Sequence, residues 1–346
     1  MNKERLYEVD VIRGLAAALV VFFHAYHMMY VPAHFPDTVQ VYREQYYWFN
    51  SICLWFHMPI FVFISGGVYG YLYSQKGKYR NTLLFIWNKV KRLLLPYIVF
   101  AIPFMSTTNG WSWQNLWGGN YSHLWFLTML FWCFVFIALV NKITSRMPWS
   151  GCVEGVLLLG SFFFMLLPKA PLNVMGVCYL YKWFFWFYLG YVVYSHRDTV
   201  YGLIRKWRIL LYLLPAIYVS CMWYMVTVVG DYGGNFKCFI SEMGFLAIVL
   251  WIWYIICLAI DKFGHGWTQC KLIKELSTCS FGIYIFHNWI EPYMISRTAQ
   301  KLLPLAAWAA EHTVLFPLVF SLLALLISYV MTKMVLLTRI GRSLIG

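Results

Sequence analysis

Arg13 and His24 stand inside the first apolar stretch of the chain, VDVIRGLAAALVVFFHAYHMM, separated by ten residues that carry no charge. Ionisable groups within a membrane helix are expensive and usually face a protein interior or a watery cavity, which makes this pair a functional-site candidate. Eleven helical steps of about 100° amount to three turns plus roughly 20°, so both side chains fall on one face, about 16 Å apart along the axis. One helix thus holds a permanent cation near one membrane surface and an imidazole in its interior, a group suited to accept a proton near neutral pH. Asp10, three residues before Arg13, is placed to cap the helix start and to pair with that arginine. A snorkelling arginine and a hydrogen-bonded core histidine are the structural alternatives.

Other segments add comparable groups. In FNSICLWFHMPIFVFISGGVYGYLY, His57 lies at about the depth of His24 if this segment runs antiparallel to the first, so the two imidazoles are expected to share a cavity. Pro59 lacks a backbone donor and frees the Trp55 carbonyl, which predicts a kink beside His57. Ser65, Gly66 and Gly67 offer small side chains that suit either close helix packing or the passage of a thin ligand. CSFGIYIFHNWIEP sets Ser280 and His287 on one face with Glu291 one turn beyond, where a carboxylate can orient the ring or form a structural pair. HLWFL puts His123 and Trp125 at the mouth of another segment, as interfacial anchors or as a surface on which a sugar ring stacks. Lys89, Lys91 and Arg92, in KVKRLLLP, read as a topology marker or as a phosphate site. The histidines are dispersed without clustered carboxylates, so no metal site is expected, and neither a Gly-rich phosphate loop nor a GxSxG elbow occurs. Glu154, Lys182 and Glu242 are further intramembrane charges whose partners the spacing does not name.

The elements that must position these residues follow from composition. Of 346 residues, 62% are hydrophobic and 12% charged, and the mean hydropathy is +0.64. That balance excludes an ordinary soluble domain and implies an all-α integral membrane protein. Ten spans are expected, near residues 10–31, 47–73, 93–108, 123–141, 150–168, 174–195, 209–229, 238–260, 277–296 and 313–336, forming a single transmembrane domain over 1–346. The first reads as a retained helix, since it contains His24 and lacks a small-residue cleavage site. With the N-terminus cytoplasmic, 21 of the 27 Lys and Arg residues fall on the inner side, and an even span number returns the C-terminus there. The net charge of +14 then belongs to a cationic inner surface facing anionic lipid or an anionic cytosolic ligand. Nucleic acid is not expected, because the basic residues are spread over successive loops. Nine cysteines without a CxxC pair, most of them within spans, read as small buried apolar residues.

Taken in order, DVIRGLAAALVVFFH with its R-x10-H spacing, FHMPIFVFISG, KVKRLLLPY, HLWFL and SFGIYIFH resemble the membrane-bound acyltransferase family 3, in the branch of fucose 4-O-acetylases and intercellular-adhesin modification proteins. The resemblance covers nearly the whole chain. It implies a ten-helix enzyme of the plasma membrane that takes an acyl group, commonly acetyl, from cytosolic acyl-CoA to a hydroxyl of a glycan or lipid-linked saccharide. By the motif match Arg13 and His24 correspond to the family's essential pair, and Ser65, Gly66, Lys89 and Arg92 to further motif positions. One position departs from the pattern, since an RxxR-like motif stands here as Lys89-x-x-Arg92, which supplies charge without a bidentate fork at its first position.

Joined to the spacing, the resemblance implies that Arg13 and the Lys89, Lys91, Arg92 loop hold the CoA phosphates. The pantetheine arm would then pass Ser65 and Gly66, and His24 would serve as general base. His57, or His287 with Glu291, would orient the acceptor or stabilise the oxyanion, and His123 and Trp125 would contact the acceptor. The rival class is a transporter or flippase of a glycan or lipid-linked intermediate with the histidines as proton relays, although no duplicated half is visible. A structural subunit of an export complex is the third.

Overall fold

The computed structural model describes residues 5–30, 43–107, 110–119, 121–144, 150–167, 174–227, 234–290, 312 and 314–346. Helix α1 spans Tyr7–Tyr30, with Glu8 and Asp10 in its first turn, where carboxylates favour the positive end of the helix dipole. Helix α2 (Arg43–Cys53) stops at a turn over residues 54–56, and α3 (His57–Gly70) starts at once, running on into a π-helical turn over Tyr71–Gln75. The kink expected beside His57 is therefore a full break. Pro59 sits in the first turn of α3, where backbone donors lack intrahelical partners and its missing N–H costs nothing.

Helix α4 (Thr82–Lys89) is capped by the Asn81 side chain, which accepts from the Leu84 amide at 3.1 Å, and continues through a π turn at Val90–Leu94 into α5 (Leu95–Thr107). A short α6 (Trp113–Gly118) and a 3-10 turn at Ser122–Leu124 lead into α7 (Trp125–Thr144). Then follow α8 (Ser150–Met165), α9 (Leu180–Ser195), α10 (Arg197–Lys206), α11 (Leu210–Thr227), α12 (Gly234–Phe263), α13 (Lys271–Trp289), α14 (Leu315–Leu337) and α15 (Arg339–Ile345).

Seven stretches among the described residues are long and apolar enough to cross a membrane, where ten were expected. The remaining three positions are held by α8 and α9, of 16 residues each, and by α13, of 19. Helix α8 is apolar but short. Helix α9 is sheathed by protein, with residues Phe184 to Tyr191 all buried. Helix α13 opens on Lys271, Lys274 and Glu275 and carries Ser277, Ser280 and His287, which lowers its hydropathy. No strand occurs among the described residues. The outward faces are apolar, with Leu213, Val219 and Trp223 on α11 and Leu322, Leu326 and Val330 on α14 exposed, the inverse of a soluble surface and the one that a bilayer solvates. All nine cysteines are free; Cys133, Cys257 and Cys279 are buried as expected, but Cys53, Cys152 and Cys270 are exposed.

The centre of the bundle is the α3–α9 pair, against which α1, α7 and α8 pack, while α1 also packs on α13 and α14. Backbone contact makes that pair close. A Cβ on Gly66 would stand 1.8 Å from the Phe187 carbonyl oxygen, and one on Gly190 would stand 1.9 Å from that of Phe63. Gly66 therefore fits another helix and leaves no room for a ligand, which corrects its expected role in lining a pantetheine passage.

Candidate functional site

Four histidines from four separate segments meet in the half of the bundle away from the N-terminus. The His24 ring on α1 lies 5.0 Å from that of His287 on α13 and 6.3 Å from that of His57 on α3, and His287 lies 5.1 Å from His123, just before α7. Each ring is held differently. The His57 Nδ1–H donates to the Leu54 carbonyl in the turn at 2.9 Å. The His287 Nδ1–H donates to the Tyr284 carbonyl at 2.7 Å, and its Nε2 is buried with no hydrogen-bond partner among the described residues. Because carbonyls only accept, both neutral rings carry their lone pair on Nε2. His24 makes no hydrogen bond among the described residues, which leaves both of its nitrogens for a ligand.

His123 has a different task. Its Nε2–H donates to the Ile285 carbonyl at 2.9 Å, its Nδ1 accepts from Asn288 Nδ2 at 3.2 Å, and the Tyr284 hydroxyl donates to its backbone carbonyl. The ring pins the start of α7 to α13, so its polar atoms are engaged by the fold, and what it offers an acceptor in the cavity it lines is its ring face. Glu291 lies outside the described residues.

His24, His57 and His123 line a cavity of about 450 Å³ together with Phe23, Trp125 and Trp183, a volume in the range of small-molecule sites. Trp125 and Trp183 face each other at 5.3 Å between ring centroids. Lys182 and Glu242 line the same cavity, the ammonium 3.8 Å from Glu242 Oε1, while the Trp186 indole N–H donates to Oε2 at 3.0 Å. Sequence reasoning flagged both charges without pairing them; they lie on α9 and α12, so no helical spacing links them. Glu154 likewise finds its partner across the fold, in His196 at 2.9 Å.

The opposite end of the bundle gathers the basic loops. A second cavity of about 510 Å³ is lined by Arg5, Glu8, Gln75, Lys76, His196 and Arg197 among others. Arg197 Nε donates to Glu8 at 2.9 Å, Tyr7 stacks on His265 at 4.4 Å, and Lys333 pairs with Glu275 at 2.6 Å, tying the first turn of α1, the start of α10 and the loop before α13 into one end. Burial by itself lowers the Arg197 guanidinium, yet Glu8 outweighs it and holds the group above its ordinary value.

Arg13 lies two turns into α1 and makes no hydrogen bond or ion pair among the described residues. Asp10 does not pair with it as expected: its Oδ2 takes Arg5 at 2.7 Å and its Oδ1 accepts from Ser277 at 3.1 Å. Both are closer partners for a carboxylate at the helix end. Nearby, the Tyr194 hydroxyl is buried, with no partner at hydrogen-bond geometry among the described residues. Lys89 points its ammonium onto the Phe134 ring, 3.5 Å from the centroid, in a box completed by Phe85. That cation–π contact turns it away from the surface, whereas Lys91 and Arg92 are exposed. Ser65 donates to the Phe61 carbonyl of its own helix at 2.8 Å.

Fold and site together define a multi-pass membrane protein with a histidine-lined cavity inside its helical bundle. The chain belongs to acyltransferase family 3: the family model for its acyltransferase domain matches residues 6–333. No curated protein matches the chain.

Proposed function

We propose that this acyltransferase moves an acyl group, acetyl in the first instance, from cytosolic acyl-CoA to a hydroxyl of a glycan or lipid-linked saccharide, with His24 as general base. The observation that carries the reading is the His24 imidazole, free of hydrogen bonds among the described residues, opening on a substrate-sized cavity 5.0 Å from the His287 ring, whose Nε2 has no partner among those residues either. The acceptor hydroxyl attacks the thioester carbon as His24 takes its proton; the carbon–sulfur bond breaks, and the departing thiolate recovers the proton from His24. His57 and His287 orient the acceptor or steady the oxyanion through their Nε2 atoms.

The basic end of the bundle is the donor side. Coenzyme A phosphates are held there by Lys91 and Arg92, with Arg13 and the Tyr194 hydroxyl deeper in the path of the arm. Between the levels of Arg13 and His24, Ala17, Val20 and Val21 are fully buried, so admitting a pantetheine chain requires α1 to shift against its neighbours. The excess of Lys and Arg at this end supports reading it as the cytoplasmic side of a plasma-membrane protein.

The test is acyl-CoA binding and acyl transfer by the purified chain in nanodiscs. His24→Ala binds acyl-CoA and loses transfer by about 10²–10⁴-fold, whereas Arg13→Ala weakens acyl-CoA binding. Transfer at the original rate by His24→Ala would end the base assignment.

A further inference from the structure

The two charged groups in the histidine cavity form a long ion pair that is open on one side. Glu242 is 3% exposed and braced by Trp186, one turn beyond Lys182 on the same helix, while the Lys182 side chain is 41% exposed. At 3.8 Å the ammonium and carboxylate form a long ion pair, and an ammonium with three donors, on that exposed side chain, has N–H groups to spare for the cavity. Beside them stands the Trp183 indole, with the ammonium 5.7 Å from its centre and Trp125 across from it. A donor and an acceptor side by side, next to flat aromatic faces, match a ring with adjacent hydroxyls, each able to donate and accept, and a C–H face that stacks on indole.

Charge decides between kinds of sugar. The pair is self-compensated, so an acidic group drawn to Lys182 would stand close to the buried Glu242 carboxylate and meet its repulsion. We infer that Lys182, Glu242, Trp183 and Trp125 form a recognition site for a neutral hydroxylated sugar ring, selecting it over an acidic one and presenting one hydroxyl to His24. The inference rests on the proposed transfer to a saccharide and adds the class of acceptor and the residues that choose it.

The experiment titrates p-nitrophenyl β-glucoside and p-nitrophenyl β-glucuronide onto the full chain in nanodiscs by microscale thermophoresis. Acyl-CoA binding is measured on the same preparation, and thermal unfolding serves as the folding control. The glucoside binds saturably and at least about tenfold more tightly than the glucuronide. Lys182→Met weakens the glucoside about tenfold, as loss of a charge-assisted hydrogen bond should. Glu242→Gln, which keeps an oxygen for Trp186, narrows the preference against the glucuronide, and Lys182→Arg retains most of the affinity. Equal binding of the two glycosides, no saturable binding of either, or folded variants that bind like the parent would overturn the inference. Failure of acyl-CoA to bind while the glycoside preference holds would instead sink the donor reading and leave this site standing.

Discussion

His287 shows how much a single ring position decides. Its Nδ1–H is committed to the Tyr284 carbonyl, so any chemistry it performs falls to the buried Nε2, which has no partner among the described residues. His287→Asn keeps a donor near the Nδ1 position and removes Nε2, whereas His287→Gln keeps an amide near the Nε2 position and gives up the backbone anchor. The asparagine variant is expected to unfold at the parent temperature and to turn over acyl-CoA at least about tenfold more slowly; parental turnover would take Nε2 out of the mechanism. His24 was legible in the sequence because its spacing from Arg13 is a property of one helix. The Lys182–Glu242 pair was not, since its members are sixty residues apart and meet only where α9 and α12 converge. The Asp10–Arg13 pairing was misread for a related reason: sequence spacing offered a neighbour, while the fold supplied Arg5 and Ser277.

The α3–α9 pair is the element on which the site depends, because α3 begins at His57 and α9 brings Lys182 and Trp183 to the same cavity. Gly66 and Gly190 set its spacing, each facing a carbonyl of the other helix. Gly66→Ala and Gly190→Ala should each destabilise the protein by about 1–3 kcal/mol through overpacking, read as a lower unfolding temperature in detergent. Ser65→Ala, whose hydroxyl bonds within its own turn among the described residues, should leave that temperature nearly unchanged. A stable Gly66→Ala variant would show that the helices can part there and would restore a ligand path past that residue. The patch of small residues admitted both readings in the sequence, and it took the position of Phe187 to choose.

Across the whole molecule the two cavities lie at opposite ends, with Tyr7 and Glu8 at one and His24 at the other, about 24–26 Å apart along α1. The Glu8–Arg197 pair closes the basic end, with Glu8 3% exposed. Arg197→Ala strands that carboxylate, at a cost of about 3–5 kcal/mol, and Glu8→Gln with Arg197→Ala should recover most of the loss in a thermal scan. Sidedness has its own test. Cys270 is exposed in the loop tied to the first turn of α1 through His265 and Tyr7. In a variant with Cys270 as its sole cysteine, a membrane-impermeant maleimide should label the protein only after cells are permeabilised. Labelling of intact cells would place the basic end outside and reverse the donor and acceptor sides.

Composition and periodicity alone determined that this chain is a helical membrane protein, roughly where its helices run, and that Arg13 and His24 share a face, because hydropathy and the 3.6-residue turn are local quantities. Motif order along the chain further carried the family. Tertiary structure alone decided which histidines meet, which of their nitrogens are spent on the backbone, and that Lys89 and Gly66 serve packing. It also decided that a lysine and a glutamate share the cavity with the tryptophans. Those outcomes depend on contacts between helices distant in sequence, where the cost of burying a polar group or of opening a gap in a packed core is settled by whichever neighbour the fold brings near.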